Sequence, residues 1–369
     1  MNNLHVRDTN KKKIINYLYA SGGATKQDIA GKLGLSMPTV SLIMKDLQDN
    51  GLIRKGKTLK SSGGRKPVVN VPVYGAKTSV GMEITQNHIR LVITDLNEDI
   101  LSYKKLSEPF QNGDGYFKKL AKLIERFIDE SKICRDGLLG VGIALPGTVR
   151  ADGNILEYSP TLGVRNLPVN TMAEYIPYPV MSDNEANLAG LAEIWKINDL
   201  QNAVYLSVNK GVGGAIIINN KLYGGANGRS AEFGHMSIVK DGLQCSCGQK
   251  GCLEAYCSTK VLIEPNFADI DDFFTALEAG DRYCMQKWDT YLGYLAIGID
   301  NLRTIFDSDI IIGGEIAGYL EKNPGVLYKK LGPINSFGSS PDYVHFSKYS
   351  EKASAVGAAI LPVDAFFNS

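Results

Sequence analysis

Three short helical patterns open the chain. The first covers about residues 10–20, and the second begins at Thr25, where Thr25 and Asp28 form a variant of the capping box. Gly34 ends the second helix, and Ser36 is the predicted N-cap of the third. The third pattern places apolar residues at i, i+3, i+4 and i+7, namely Val40, Ile43, Met44 and Leu47. Two helices joined by so short a turn predict a helix-turn-helix, in which the third helix reads DNA.

Two strand patterns follow, over residues 52–59 and 68–73, and they flank the run K-S-S-G-G-R-K-P. Such a hairpin beside a helix-turn-helix is a wing, and Arg65 and Lys66 at its tip suit a narrow minor groove or phosphates. On the third helix, the residues expected to contact DNA are Ser36, Pro38, Thr39, Ser41 and Lys45. A small helical protein-interaction domain is the alternative interpretation of this segment.

The remainder of the chain alternates strand and helix patterns, as α/β proteins do. A β-hairpin pattern covers Val80–Asp95, and buried strands are predicted at Leu139–Gly147 and Val180–Asn187. A strand–loop–strand unit follows at Ala203–Ile218, and a further strand and turn at Ile310–Glu315. The sequence therefore predicts an α/β body behind the N-terminal module.

Composition and charge support this division. The chain has 369 residues, 44% hydrophobic and 21% charged, as in ordinary globular proteins. Residues 1–70 hold 13 Lys and Arg against 4 Asp and Glu, whereas the rest holds 27 against 35. A basic segment on an acidic body is typical of a DNA-binding module joined to another domain. Residues 1–13 are polar and basic, and the apolar runs are too short for a membrane span, so a cytoplasmic protein is expected.

The most informative stretch for chemistry runs from Glu232 to Glu254. His235, Cys245, Cys247 and Cys252 offer one imidazole and three thiolates, which is a closed tetrahedral set of the kind that structural Zn²⁺ prefers. A metal-free loop with reduced thiols is the alternative. Glu232 and Glu254 flank this set, and carboxylates accept hydrogen bonds from sugar hydroxyls, although both could be ordinary surface charges.

The same stretch resembles a known family. The run E-F-G-H followed by C-S-C-G-Q-K-G-C-L-E is similar to the signature of the ROK family, which contains sugar kinases and sugar-responsive transcriptional repressors. The S-S-G-G-R-K-P run resembles the wing of the family's repressors, which its plain kinases lack. The resemblance implies a winged helix-turn-helix followed by a two-lobed, actin-like and ribonuclease H-like sugar-kinase fold. It also implies sugar binding by Asn184, Glu185, Glu232, His235 and Glu254.

The implied domains are a DNA-binding domain over 1–74, a first lobe over 75–198 that is completed by the C-terminal segment 351–369, and a second lobe over 199–350. Because repressors bind palindromic operators as dimers, we expect a homodimer or a dimer of dimers.

The chain departs from the family's kinases where these hold ATP. Glu83 and the turn Thr85–Asn87 replace an aspartate and a glycine-rich phosphate loop, and Asn209-Lys210 replaces the Gly-Thr of a second loop. Glu315 stands on the adenosine side, and Glu185 stands where the kinases carry the aspartate that acts as base. We therefore expect a sugar sensor without a catalytic residue. The alternatives are an active sugar kinase that carries a DNA-binding arm, and a scaffold that binds neither ligand.

Overall fold

A computed structural model describes residues 3–58, 67–150, 152–196, 200–226, 228–335, 337–338 and 340–368, without the side chains of residues 3–5 and 196. The helices in chain order are α1 (Asn3–Ser21), α2 (Lys26–Leu33), α3 (Met37–Asp49), α4 (Asp114–Ser131), α5 (Asn170–Ala173), α6 (Glu185–Lys196), α7 (Glu254–Cys257), α8 (Thr259–Ile263), α9 (Ile270–Glu278), α10 (Arg282–Phe306), α11 (Ala317–Lys322), α12 (Gly325–Leu331) and α13 (Ala353–Asn368). The strands are β1 (Ile53–Thr58), β2 (Val68–Pro72), β3 (Thr78–Ile84), β4 (His88–Asp95), β5 (Ile100–Ser107), β6 (Leu138–Leu145), β7 (Thr148–Val149), β8 (Ile155–Ser159), β9 (Val164–Pro168), β10 (Val180–Asn184), β11 (Ala203–Val208), β12 (Val212–Ile218), β13 (Lys221–Leu222), β14 (Asp309–Gly314) and β15 (Val344–Phe346).

The N-terminal module is a three-helix unit with a two-stranded wing. Thr25 and Asp28 close the predicted capping box at the start of α2, and Gly34 ends that helix in a left-handed conformation with φ +64°. The four apolar residues predicted for the buried stripe of α3 are all buried. Strands β1 and β2 pair antiparallel. The predictions of a helix-turn-helix and a wing hairpin are therefore confirmed, whereas the wing tip, with Arg65 and Lys66, lies outside the described residues.

Helix α1 begins at Asn3 and not near residue 10 as predicted. Apolar periodicity detects only the part of a helix that packs against other elements, and here the buried stripe starts at Ile14. Val6 is 44% exposed, so the first two turns carry no periodic signal.

The first half of the body is a five-stranded sheet of order β10-β6-β3-β4-β5, in which β3, β6 and β10 run parallel. Helix α13 crosses one face of this sheet at unusually close range. A Cβ added to Gly81 would lie 1.8 Å from the carbonyl oxygen of Ala355, and one added to Gly142 would lie 1.8 Å from that of Ala358. Because these two glycines have no side chains, α13 can pack this closely on the sheet.

The second half of the body is a five-stranded sheet of order β13-β12-β11-β14-β15. The main hydrophobic core of this half contains side chains of β11, β12, β14 and α10. Helix α6 joins the two halves, because it follows β10 of the first sheet and packs on β11 and β12 of the second. Gly190 of α6 permits this contact, since an added Cβ would lie 2.7 Å from Cβ of Ala215.

The two sheets match the two lobes expected from the sequence, but the boundaries at 74/75, 198/199 and 350/351 stay predictions, and 198/199 falls outside the described residues. A small antiparallel sheet, β7-β8-β9, projects from the first half. Within the described part of the chain, no helix combines the length and the apolar character needed to cross a bilayer.

Candidate functional site

The four predicted metal ligands come together. The ligand atoms of His235, Cys245, Cys247 and Cys252 all lie within 4.8 Å of one another. The sulfurs of Cys247 and Cys252 are 3.7 Å apart, and Nδ1 of His235 is 3.8 Å from Sγ of Cys245. A tetrahedral ion with metal–sulfur bonds of about 2.3 Å requires S···S edges of about 3.8 Å. The donor set can therefore hold one metal ion.

The backbone of the loop explains this convergence. Gly248 and Gly251 adopt φ +91° and +82°, a region that other residues rarely enter. An added Cβ at Gly251 would lie 1.8 Å from the carbonyl oxygen of Val239, so the chain turns back on itself there. The N–H of Cys245 donates to the carbonyl of Gln249 at 2.8 Å and closes the turn.

A cleft of about 240 Å³ opens beside the metal loop. The residues predicted to bind sugar all line it, and they are Asn184, Glu185, Glu232, His235 and Glu254. The carboxylate of Glu254 is held by two donors, the backbone N–H of Val212 at 3.0 Å and the hydroxyl of Ser246 at 2.9 Å. The metal loop thus fixes one wall of the cleft.

Asn184 is held rigidly where β10 meets α6. Its Nδ2 donates to the carbonyl of Gly147 at 2.7 Å, and its Oδ1 accepts from the N–H groups of Ala186 and Asn187. Glu185 follows as the first residue of α6. Burial raises the pKa of Glu185 to about 8, and the nearby Glu83 adds to the shift while Arg90 opposes it. At neutral pH this carboxyl group is therefore largely protonated.

The turn that the sequence resemblance places at the first phosphate loop is held by contacts within the hairpin. Glu83 and Arg90 are cross-strand partners on β3 and β4, and Nη1 of Arg90 donates to Oε2 of Glu83 at 2.6 Å. In the turn that follows, the N–H of Thr85 donates to the carbonyl of His88, and the N–H of His88 donates to Oγ1 of Thr85. The N–H groups of Thr85 and His88 are therefore engaged within the hairpin.

The second loop position is held in the same way. The N–H of Asn209 donates to the carbonyl of Gly211 at 2.9 Å, and Oδ1 of Asn209 accepts from the N–H of Glu315 at 2.9 Å. The carboxylate of Glu315 in turn accepts from Oγ1 of Thr259 at 2.7 Å. These contacts link three segments of the second half.

Carboxyl groups dominate the ionisable lining of the cleft. Three carboxyl groups line it, those of Glu185, Glu232 and Glu254, and among the described lining residues there is no lysine or arginine. Lys210 and Arg229 neighbour lining residues in the sequence, but they do not line the cleft themselves. The arrangement can accept hydrogen bonds from several hydroxyl groups. Arg229 is near enough to Glu232 to oppose the rise in pKa that burial gives this carboxyl group.

The predicted DNA-contacting residues lie on or beside the outward face of α3. Pro38 and Lys45 are exposed, and Thr39 and Ser41 are half-buried. Ser36 caps the helix, because its Oγ accepts from the N–H of Thr39 at 3.3 Å. Leu42, which the sequence pattern places on the same outward face, is 56% exposed. Sequence reasoning missed Arg90, because its role depends on the strand register.

Comparisons with known proteins agree with this architecture. The model of the ROK family matches residues 79–365, and a model of winged helix-turn-helix DNA-binding domains matches residues 7–54. The xylose repressor of Bacillus subtilis (strain 168) is 28% identical over 98% of this chain and 97% of its own length.

Two solved structures share the fold. One is a ROK family transcriptional regulator described as a homologue of the E. coli MLC protein, with TM-score 0.81 and 22% identity over 99% of this chain and 97% of the other. The other is a ROK hexokinase from Thermus thermophilus, with TM-score 0.68 and 23% identity over 79% of this chain and 100% of the other.

Proposed function

We propose that this chain, which belongs to the ROK family, is a sugar-responsive, DNA-binding transcriptional repressor of genes for carbohydrate use. The match of residues 7–54 to winged helix-turn-helix DNA-binding domains supports this function, and the ROK hexokinase covers only 79% of this chain. Relatives that match nearly the whole chain are named xylose repressors. The proposed partner is therefore double-stranded operator DNA, read by a homodimer or a dimer of dimers in the cytoplasm.

The body binds sugar without phosphorylating it. The observation that carries this part of the proposal is the hairpin after Glu83, in which the N–H of Thr85 donates to the carbonyl of His88 and Glu83 pairs with Arg90 at 2.6 Å. Phosphoryl transfer depends on positioning and charge stabilisation of the phosphates, and neither loop retains the groups for it. The alternative is an active kinase with a DNA-binding arm. The observation that favours it is the carboxyl group of Glu185, which stands at the base position.

The effector is an unphosphorylated monosaccharide. A sugar phosphate would place its anion beside the carboxyl groups of Glu232 and Glu254, in a cleft whose described lining includes no lysine or arginine, whereas a neutral sugar can donate its hydroxyls to them. A cleft of about 240 Å³ also suits one sugar ring better than two. Xylose is the first candidate, because it gives the relatives their name.

The metal is a structural Zn²⁺ held by His235, Cys245, Cys247 and Cys252. Three thiolates and one imidazole are a donor set that zinc prefers, and the set is closed, so no ligand position is left for catalysis. The ion would hold Cys245 and Cys252 in place, and through them the segment that ends at Glu254. His235 would bind through Nδ1, the atom that faces Cys245, which leaves Nε2 for the cleft.

A thermal-shift panel tests the effector class. Saturation at about 100 Kd stabilises a protein by about 2.7 kcal/mol, so a neutral effector gives a clear rise in melting temperature. We expect a shift with xylose or another neutral monosaccharide, and no shift with xylose 5-phosphate or glucose 6-phosphate. The variant Glu254→Gln should lose the shift, whereas the exposed Glu278→Gln should keep it. A sugar phosphate that stabilises the protein more than its parent sugar would refute the assignment.

A further inference from the structure

The outward face of α3 carries an apolar residue that has no structural role in the described chain. Pro38, Leu42, Lys45 and Asp49 recur at i, i+4, i+7 and i+11, and all four are exposed. Leu42 is 56% exposed, the largest value among the large hydrophobic residues described in the N-terminal module. An exposed leucine is common on protein surfaces, but this one lies at the centre of the surface that a helix-turn-helix turns toward the major groove.

The hydroxyl groups predicted to read bases are largely engaged within the helix. Oγ of Ser36 accepts from the N–H of Thr39, and the two side-chain oxygens of this pair are 2.8 Å apart. Further along α3, Nε2 of Gln48 donates to Oδ1 of Asn70 at 2.8 Å. Of the residues expected to discriminate bases by hydrogen bonds, Ser41 is thus the one whose side chain has no such contact recorded. Besides the hydroxyl of Ser41, this face of α3 therefore presents the apolar side chain of Leu42.

We infer that Leu42 is a specificity-determining residue that reads thymine through its C5-methyl group. In the major groove the methyl group of thymine is the one apolar feature that distinguishes a base pair, and it is recognised by apolar side chains. Leu42 presents such a side chain midway between the N-terminus of α3 and Lys45, whose ammonium group suits a phosphate at the edge of the groove. The inference rests on the proposed function, because it requires that this face of α3 enters the groove.

The test uses deoxyuridine, which pairs as thymine does and lacks only the methyl group. Full-length protein first selects its preferred sites from a pool of random duplex DNA. Each thymine of the best site is then replaced by deoxyuridine, and Kd is measured by fluorescence anisotropy at one salt concentration. Burial of one methyl group corresponds to about fourfold in affinity, so we expect this loss at one thymine per half-site. In Leu42→Ala the same replacement should have no effect.

Two variants serve as controls. Leu42→Met retains an apolar side chain and should keep the dependence on the thymine methyl group. Lys45→Ala should weaken binding to all sequences alike and lower its salt dependence, while the effect of deoxyuridine persists. Because Leu42 and Lys45 are both exposed, the melting temperatures of the variants should match that of the wild type.

The outcomes separate the inference from the function on which it rests. If the wild type selects no sequence from the pool, the DNA-binding function fails, and the inference fails with it. If it selects a site but every deoxyuridine replacement affects wild type and Leu42→Ala equally, the function stands and the role of Leu42 is refuted. The role of Leu42 is also refuted if the dependence on the thymine methyl group disappears in Met37→Ala and persists in Leu42→Ala.

Discussion

The carboxylate of Glu254 accepts a hydrogen bond from the backbone N–H of Val212 at 3.0 Å. Glu254 follows the last cysteine of the metal loop by two residues, and Val212 is the first residue of β12, so this contact joins the loop to the sheet. Oε1 of Glu254 also lies 4.0 Å from Sγ of Cys245. A change in the metal loop should therefore reach the cleft through Glu254.

Replacing one metal ligand tests this connection. We expect Cys247→Ser to lower metal affinity by at least about tenfold and to weaken sugar binding in parallel, because a looser loop no longer fixes Glu254. Metal content is measured by elemental analysis, and sugar affinity by calorimetry. The control is Cys134→Ser, the same substitution at an exposed cysteine outside the loop, which should retain about one zinc per chain. Full sugar affinity in metal-free protein would contradict the connection.

The second prediction concerns phosphorylation. We expect no ATP-dependent release of ADP with any sugar that stabilises the protein, and none after Glu185→Asp. Restoring the shorter carboxylate leaves the amides of Thr85 and His88 bonded within the hairpin and Glu83 paired with Arg90. The measurement is a coupled ADP-release assay with an active sugar kinase as the positive control. Turnover near ~10 s⁻¹, an ordinary value for enzymes, would instead support the kinase alternative.

Local features of this protein were predictable from its sequence, because local chemistry determines them. The capping box of Thr25 and Asp28 and the buried stripe of α3 depend on neighbours within a few residues. The metal cluster was predictable for the same reason, since three of its ligands lie within eight residues.

Features that depend on the register of strands were not predictable. The sequence showed that Glu83 departs from the kinases, but its partner Arg90 follows only from the pairing of β3 with β4. The contact between Asn209 and Glu315 joins residues 106 positions apart. The N-cap role of Ser36 was predictable, but the contact between its hydroxyl and that of Thr39 required coordinates.

The third prediction follows from the raised pKa of Glu185. Its pKa is about 8 in the folded protein against about 4.5 when unperturbed, so the folded state keeps a proton that the unfolded state has released between these values. Since the folded state binds more protons there, the contribution of Glu185 to the free energy of unfolding falls as pH rises from about 4.5 to about 8.

Glu185→Gln removes this dependence. We expect the melting temperature of the wild type, relative to the variant, to fall between pH 5 and pH 8 and to level off above that range, as measured by calorimetry without sugar. A difference between wild type and Glu185→Gln that is constant with pH would show that this carboxyl group is not held protonated.

The last prediction concerns the junction between the DNA-binding module and the body. Phe367 near the end of α13 belongs to the same hydrophobic core as the helices of the N-terminal module, and its ring centroid is 5.2 Å from that of Tyr19. The hydroxyl of Tyr19 donates to the carbonyl of Leu52, just before the wing. Because α13 also packs on the first sheet of the body, it links the position of the module to that sheet.

We expect Phe367→Ala to destabilise the module by roughly 3 kcal/mol, the lower end of the range for a buried phenylalanine. DNA affinity should fall as a result, whereas the rise in melting temperature of the body on addition of sugar should persist, because the cleft lies elsewhere. Anisotropy and thermal shift measure the two effects separately. Phe337→Ala, the same substitution at a side chain that is 55% exposed, should change neither. Equal loss of DNA and sugar binding in Phe367→Ala would mean instead that module and body unfold as one unit, with α13 as their shared core.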